Sequence, residues 1–553
     1  MDSFDAVIIG SGQAGNPLGV KFAVKGRKVA LVERDAIGGS CVNVGCSPTK
    51  TMEASGRVAH LVRRAADFGV DIQGPVTVDM KKIRQRKRSI VRSFSSGDKA
   101  KLDRKGVEIL QGEGRFVAPR EIEVRMKDGG TRRIRGDLVF IDTGTRPSIP
   151  QIEGLCSCNI LDNGTIMELG EVPRHLMIIG GGYVGLEFGR MFARFGSAVT
   201  IIHRGSHVLS GEDEDVAQAV QDIFREDGIR IILEANTYRA FQDPDGTIHL
   251  DLDYPGGRES ISGSHLLVAA GRIPNTDMLN LPRAGVETDE QGFIVVDKNL
   301  RTTAEGVYGL GDVKGGPAFT HIAYDDYRVV RTNIFGEGGA TIEGRILPYT
   351  VFIDPQLARV GLSEKEARGK GIRYETIRMP MSHVARALET DETRGFMKAL
   401  VEPGAGKILG FACLGAEAGE LMAVVQMAMA GGLTALDLKE MIFAHPTLAE
   451  SLNRLFSLAG REKESPESRG KPRPKSNVQR PAKSQSRGEP RPTSNVQRKI
   501  SPEENHVQRP MSNVQRKVSP EENRVQRPMS NVQRKISPES EAQGVPGKIP
   551  FAA

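Results

Sequence analysis

Cys41 and Cys46 are the residues whose type and spacing say most about chemistry. They stand in Gly38-Gly-Ser-Cys41-Val-Asn-Val-Gly-Cys46-Ser-Pro48-Thr-Lys50. Pro48 suits the first turn of a helix, and the pattern stays helical to about Arg64. A thiol at a helix N-terminus ionises near neutral pH, because the free backbone N–H groups there favour the thiolate. In an intact helix, residues five apart point roughly 140° away from each other. A Cys41–Cys46 disulfide therefore requires a distorted turn between them, which Gly45 permits. The pair reads as a redox-active disulfide, with a metal site and two inert thiols as the rival readings. No second Cys or His cluster completes a zinc set, and the segment follows directly on a nucleotide-binding motif.

That motif is Gly10-Ser-Gly12-Gln-Ala-Gly15, between a strand and a helix. Its glycines allow a tight turn, close approach of backbone to a pyrophosphate, and close packing of helix on strand. The helix N-terminus then faces the phosphates with free N–H groups. Glu33 closes the next strand 23 residues after Gly10, where an acid can accept hydrogen bonds from a ribose. A second copy is Gly180-Gly-Gly182-Tyr183-Val-Gly185, and 23 residues on from Gly180 stand His203 and then Arg204. No acid is there to hold a ribose 2′-hydroxyl or repel a 2′-phosphate, whereas a guanidinium can fork onto phosphate oxygens. The second site leans towards NADPH, with NADH also possible. Two nucleotide sites in one chain suggest electrons passing between a flavin and a nicotinamide.

Strands alternating with helices must position these groups. The runs Ala6–Gly10, Lys28–Glu33, Leu176–Gly180 and Val199–His203 predict parallel sheets with crossover helices. Leu138–Gly144 and Leu266–Gly271 read as strands that end at a glycine. After about Arg345, Thr350–Asp354, Tyr374–Met379 and Met397–Glu402 read as strands around a small-residue helix near Glu420–Ala430, an α+β pattern with an interaction surface. From Arg461 the chain changes character. Ser-Asn-Val-Gln-Arg recurs at Ser476, Ser494, Ser512 and Ser530, a period of 18, in a composition that predicts disorder; a partner for this tail is not identified. The tail carries 20 Lys/Arg against 10 Asp/Glu, and Met1–Gly460 carries 56 against 59. A basic body built for nucleic acid is not indicated. No run approaches the ~18 apolar residues of a membrane span. A strand starting at Phe4 leaves no room for a secretory signal, and five cysteines in 553 residues do not suit a disulfide-stapled secreted scaffold. A cytoplasmic protein is expected.

With these motifs in order, residues 1–460 resemble the flavoprotein disulfide reductases: dihydrolipoamide dehydrogenase, glutathione reductase and mercuric reductase. Further shared signals are Thr143-Gly144, Ala270-Gly271-Arg272-Ile-Pro274-Asn275, Val307-Tyr-Gly-Leu-Gly311-Asp312 and His445-Pro446-Thr447 with Glu450. The resemblance implies an α/β fold with two Rossmann-like domains. FAD would lie on 1–150 and 271–345 and NAD(P)H on 151–270, followed by a dimerisation domain at 346–460 and the repeat tail at 461–553. It implies that Cys46 is the flavin-proximal thiol and Cys41 the one exchanging with substrate. Lys50 matches the lysine near the flavin ring, Glu187 its ion-pair partner, Tyr183 the aromatic gate over the nicotinamide pocket, and Asp312 the acid on the ribityl chain. His445, oriented by Glu450, matches the acid/base that reaches the cysteines of the other subunit, so the active sites of a homodimer are shared. Histidine titrates in the range such proton transfer needs.

The departures bear on substrate. Full mercuric reductases end with a vicinal Cys pair and carry a tyrosine where this chain has His445. Dihydrolipoamide dehydrogenases usually carry an acid near His203 and often a second histidine at the position of Phe443. Glutathione reductases carry an arginine where this chain has Val20. Phe319–Arg328 and Phe443–Asn453 look most like a bacterial mercuric-reductase-like branch. The expectation is an NAD(P)H-dependent flavoprotein reducing a small disulfide or a soft metal ion. A dihydrolipoamide-dehydrogenase-type enzyme and a low-turnover redox-sensing or metal-binding flavoprotein are the alternatives. No resident metal is expected. Cys156 and Cys158 read as unpaired thiols rather than a soft-metal site, Cys413 as core, and Lys81–Arg92 as a solvated helix face.

Overall fold

The computed structural model describes residues 1–460. The expected disorder of 461–553 lies outside the described residues. The strand Asp2–Ile9 is apolar on successive positions because it is buried on both faces, with Ala6, Val7 and Ile8 fully enclosed. It pairs in parallel with Val29–Glu33 on one side and Thr131–Ile141 on the other, and Val307–Gly309 adds a further parallel strand. The helix Gly15–Val24 covers this sheet and buries Leu18 and Phe22 against it.

The sheet is not purely parallel as the alternation of strands and helices suggests. Glu108–Gln111 runs parallel to Val29–Glu33, and then Gly112–Ala118 pairs antiparallel with Glu121–Met126. The latter pairs antiparallel with the start of Thr131–Ile141. Two 11-residue strands thus carry parallel pairing along one part and antiparallel pairing along the other within one sheet. At the crossing point a Cβ on Gly112 would overlap the carbonyl of Arg125. The strict alternation of Glu121-Ile-Glu-Val-Arg-Met is the period of a half-buried antiparallel strand, and it is the local signal for this meander.

The second half repeats the plan. Arg230–Ile232, Ala198–Ile202, His175–Ile179, His265–Val268 and Ile160–Leu161 form one parallel sheet, in that order. Beside it this half has a separate three-stranded antiparallel sheet, Asn236–Gln242, Ile248–Tyr254 and Gly257–Gly263. The helix Tyr183–Phe195 is nearly enclosed because it is wedged between layers. Phe188 and Phe192 share one apolar cluster with Met52 of the redox helix and with Val351, Leu357 and Phe396 of the C-terminal region. Each such ring contributes on the order of 1.5–3 kcal/mol.

The C-terminal region is a five-stranded antiparallel sheet, ordered Pro348–Val351, Gln356–Gly361, Ile408–Gly415, Phe396–Val401 and Glu375–Pro380. Ala418–Ala430 packs on it through Leu421, Met422 and Val425. The first strand ends at Val351 rather than at Asp354, because the N–H of Phe352 donates to Glu187 of the second half at 2.8 Å instead of to a strand neighbour. Lys398, buried on this sheet, sits among Asp213 (2.8 Å), Asp215 (2.7 Å) and Glu364 (3.1 Å), so its ammonium fills the acidic cluster. Lys87, inside the basic stretch read as solvated, is buried and paired with Glu168. None of the described helices is long and apolar enough to cross a membrane.

Candidate active site

The redox helix begins at Cys46 itself and runs to Arg63, while Cys41 lies on a separate short turn, Gly39–Asn43. The chain breaks between them at Val44 and Gly45 (φ −125°, ψ −117°). That break removes the obstacle an unbroken helix would pose to joining the two sulfurs. Two side chains pin the broken turn: Asn163 donates to the carbonyl of Val44 at 2.7 Å, and the Thr49 hydroxyl to that of Gly45 at 2.6 Å. Both cysteines are free thiols. The Thr320 hydroxyl lies 3.3 Å from Cys46 Sγ. A hydrogen bond from Cys41, that hydroxyl and the nearby Lys50 ammonium lower the Cys46 thiol to about 6, against the cost of burial. The same hydrogen bond, burial and the charge on Cys46 push the Cys41 thiol up. The two shifts are opposite in direction, so the surroundings favour the thiolate on Cys46 over Cys41.

Three parts of the chain converge beside the sulfurs. Lys50 Nζ, one turn along the redox helix, pairs with Glu187 Oε2 at 2.6 Å and lies 4.6 Å from the ring centre of Phe352. The other oxygen of Glu187 holds the Phe352 N–H. Tyr183 opens the helix Tyr183–Phe195, and its ring lies 5.9 Å from that of Phe319, which stacks in turn on Tyr349.

A cavity of about 740 Å³ joins these groups, a size that suits a cofactor. Gly10, Gly12, Glu33, Cys41, Cys46, Lys50, Thr143, Gly144, Tyr183, Glu187 and Asp312 all line it. It lies at the carboxyl ends of the first parallel sheet, where nucleotides bind in such sheets. Glu33 braces the first glycine loop: its Oε2 accepts from the N–H (3.0 Å) and hydroxyl (2.6 Å) of Ser11, and its Oε1 from the N–H of Asp35 (2.7 Å). Gly311 takes a positive φ (+67°) and donates its N–H to Asp326. Burial pushes the Asp312 carboxyl up, with Arg272 and the Thr145 hydroxyl opposing. The glycine cradle, the acid at the ribose end and the enclosed acid near the cysteines fit an extended flavin dinucleotide.

The glycines of the second loop lie outside this cavity, although Tyr183 and Val184 of that loop line it. Gly180 takes a positive φ (+123°), and a Cβ there would overlap the Ala269 carbonyl, while a Cβ on Gly185 would overlap that of Gly180. A Cβ on Gly182 would meet nothing within 4 Å, so the space before the helix is open to a ligand. His203 is half-buried, its Nδ1 accepting from the Gly181 N–H at 3.2 Å, and burial lowers its pKa. Arg204 is exposed beside it, and Gly271 (φ +129°) shapes the neighbouring turn. His445 Nδ1 lies 3.0 and 2.9 Å from the two oxygens of Glu450. The imidazole is exposed, and neither residue lines the cavity that holds Cys41 and Cys46.

Sequence reasoning passed over Thr320, Asn163 and Asp142, each of which lines the cavity. Thr320 and Asp142 fell inside quoted segments without a role. Thr320 is first in a helix of 16 residues, but nothing local places its hydroxyl on a sulfur 274 residues away.

Known proteins resemble this chain in sequence and fold. The family model for pyridine nucleotide-disulphide oxidoreductase matches residues 4–326, and the model for the dimerisation domain of that family matches residues 347–456. The probable pyridine nucleotide-disulfide oxidoreductase RclA of Escherichia coli is 37% identical over 464 residues, covering 83% of this chain and all of RclA. A mercuric reductase of Streptomyces lividans is 35% identical, covering 81% of this chain and 94% of that enzyme. The Cu(II) complex of the HOCl-induced flavoprotein disulfide reductase RclA from Escherichia coli superposes with a TM-score of 0.76 at 36% identity, over 83% of this chain and all of that one.

Proposed function

The chain belongs to the pyridine nucleotide-disulphide oxidoreductases, flavoproteins that use FAD and NAD(P)H and carry their own dimerisation domain, and from that premise we propose that it passes electrons from NADPH to the Cys41–Cys46 pair and on to a small disulfide or a soft metal ion. The observation that carries this reading is the broken helix start that sets Cys41 and Cys46 in one cavity. The Thr320 hydroxyl lies 3.3 Å from Cys46 Sγ and the Lys50–Glu187 pair lines the same space, surroundings that bias Cys46 towards the thiolate. In the proposed division, FAD lies on 1–150 and 271–345, NADPH on 151–270 and the dimer contacts on 346–460.

Bound FAD would supply the exchange of two electrons between a nicotinamide and the disulfide. Gly10, Gly12, Gly15, Glu33, Thr143, Gly144, Gly311 and Asp312 would hold it. The residues of this chain do the rest. Lys50, fixed by Glu187, keeps a positive charge beside Cys46 and favours its thiolate. Gly180, Gly182, Gly185 and Gly271 give the nicotinamide dinucleotide close approach, Tyr183 covers its pocket, and His203 and Arg204 leave a 2′-phosphate unopposed. Cys41, whose thiol is raised, needs a base before it can attack. The partner subunit's His445, oriented by its carboxylate neighbour Glu450, takes that proton and returns it to the leaving thiolate. Cys41 attack on a substrate disulfide forms a mixed disulfide and releases one thiol. Cys46 then attacks Cys41, releases the second thiol and restores the Cys41–Cys46 disulfide. A soft metal ion would instead be taken by the two sulfurs, a reading that the Cu(II) complex of the relative RclA favours. The scarcity of cysteine suits a reducing compartment, and the cytoplasm is the proposed setting.

Oxidation of NADPH with oxidised lipoamide, glutathione disulfide, Hg(II), Cu(II), quinones and oxygen tests the proposal. Turnover with a disulfide or soft metal ion, lost in Cys41→Ser, is expected. Flavin that is reduced by NADPH while none of these acceptors is turned over would replace the enzyme reading with a redox-sensing one.

A further inference from the structure

The Val44 carbonyl lies between the two cysteines, and the sequence leaves it without a helical partner. In an unbroken helix it would accept from the N–H four residues on, but that residue is Pro48, which has none. Its neighbour is better served. The Gly45 carbonyl accepts twice from Thr49, from the N–H at 3.1 Å and from the hydroxyl at 2.6 Å. Among the described residues no backbone N–H donates to the Val44 carbonyl, and the Asn163 amide does so at 2.7 Å. Carbonyls orphaned at a helix break are commonly satisfied by side chains in this way.

Asn163 reaches the turn from 119 residues away. It follows Ile160–Leu161, the edge strand of the second parallel sheet. The loop that carries it is itself fixed. Asp162 Oδ1 accepts from the N–H groups of Gly164 (2.9 Å) and Thr165 (2.8 Å), and from the Thr165 hydroxyl (2.9 Å). A Cβ on Gly164 would come within 3.3 Å of Val44 Cγ1, so loop and turn are packed together. Ile166 and Met167, next along, are buried with Met52 of the redox helix. On its other side the cysteine turn is held by Asn43, whose amide donates to the carbonyls of Ala36, Ile37 and Gly39 at 3.1, 3.2 and 2.9 Å. The turn is thus anchored from two sides while both cysteines are free thiols.

Forming a disulfide fixes the chain between its two cysteines. Ordering that chain opposes closure when the turn is loose beforehand, and costs little when hydrogen bonds have already ordered it. Without a donor at Val44, the carbonyl would turn to water and the turn could open, a freedom the dithiol has and the disulfide lacks.

We propose that Asn163 is a positioning residue for the redox pair: its hydrogen bond to the Val44 carbonyl, the acceptor that Pro48 leaves open, keeps the dithiol turn bent for closure and so favours the Cys41–Cys46 disulfide. This rests on the two cysteines being the redox pair of the proposed function. In the step concerned, the Cys46 thiolate attacks the Cys41 sulfur of a mixed disulfide. The bond from Cys41 to the substrate breaks, the substrate sulfur leaves with the electron pair and takes a proton, and the Cys41–Cys46 bond forms. Asn163 acts on this step through the backbone.

The redox equilibrium of the pair in the flavin-loaded protein tests the assignment. Protein equilibrated in dithiothreitol redox buffers is quenched with acid and alkylated, and the state of Cys41 and Cys46 is read by mass spectrometry. Asn163→Leu keeps the size of the side chain and removes the donor. It should lower the equilibrium constant for disulfide formation by roughly 2- to 10-fold, the worth of one hydrogen bond, with flavin content and the KM for NADPH as in wild type. Asn163→Gln, which keeps an amide donor, should recover part of the wild-type value. Thr49→Val is the control for a turn merely loosened: the Gly45 carbonyl keeps its backbone donor, and a smaller shift is expected. If Asn163→Leu does not fold, Asn163→Ala takes its place against Asn163→Gln. An unchanged constant in the variant without a donor, or a shift as large in Thr49→Val, would overturn the proposal. Absence of a Cys41–Cys46 disulfide from wild type in every buffer would refute the redox-pair premise itself, and the assignment with it.

Discussion

The glycine loop at Gly10 and the one at Gly180 close the same strand–turn–helix, but they are braced from opposite chemical directions. At the first, Glu33 accepts from Ser11 and Asp142 accepts from Gly15, so two acids tie the loop down before any ligand arrives. At the second, a half-buried imidazole accepts from Gly181 and an alanine stands where the second acid would be. The difference suggests a division of labour. In the proposed assignment the first loop would be a prebuilt socket for a cofactor that stays, and the second an open seat for one that comes and goes.

The largest expected effect tests that contrast outright. Gly10→Ala places a side chain on backbone at φ +102° and into the Asp142 carbonyl, neither of which can yield without opening the pairing of Asp2–Ile9. A cost above about 3 kcal/mol is expected, seen as loss of soluble, flavin-containing protein. Gly182→Ala, at φ −80° with open space, should fold with full flavin content and show only a raised KM for NADPH. Similar flavin loss in both variants would abolish the contrast.

Next in size is the reading of the 2′-phosphate. Arg204→Glu should raise the KM for NADPH over that for NADH by about 10- to 150-fold, the loss of one charge-assisted hydrogen bond. Equal effects on both coenzymes would remove Arg204 from the site.

The two halves meet at Lys50 and Glu187, and the Cys46 thiolate reports on that junction. In the two-electron-reduced protein, iodoacetamide alkylation of Cys46 should be steady above about pH 6. Below that midpoint the thiol is protonated, and the rate should fall about tenfold per unit. Lys50→Met removes a cation and should move the midpoint upward; a midpoint that stays in place would assign the thiolate to Cys41 and Thr320 alone.

The smallest effect sharpens the comparison. His203→Glu imports the acid of the first loop, and its carboxylate can accept from the Gly181 N–H as Glu33 does from Ser11. A few-fold shift of kcat/KM from NADPH towards NADH is expected, and a shift the other way would mean the imidazole itself serves the coenzyme.

Both loops and the cysteine turn were legible from the sequence because each is a local event. Glycines at fixed spacing after an apolar strand, and a helix-starting proline two residues beyond Cys46, declare themselves within about 15 residues of chain. The Lys50–Glu187 pair was legible only through family resemblance, since 137 residues separate its members. The strand expected at Thr350–Asp354 ends early for a reason no local pattern contains, the carboxylate of Glu187 taking the Phe352 N–H. The antiparallel meander at Glu121–Met126 did have a local signal, but the surrounding alternation of strands and helices overshadowed it.

What the sequence determined by itself is the inventory of this protein: two strand–turn–helix cradles, one acid and one histidine after them, a pair of thiols at a helix start, and a basic repeat tail. Each follows from short-range geometry, where the backbone permits few conformations and the side-chain period is fixed. What only the tertiary structure decided is which of these groups face one another. Closure of the sheets sets Thr320 against Cys46, fills the space beside Gly12 with Asp142 from 127 residues away from Gly15, and leaves His445 outside the cavity of its own chain. These meetings depend on how layers stack and how charges share a buried space, and no spacing along the chain encodes that.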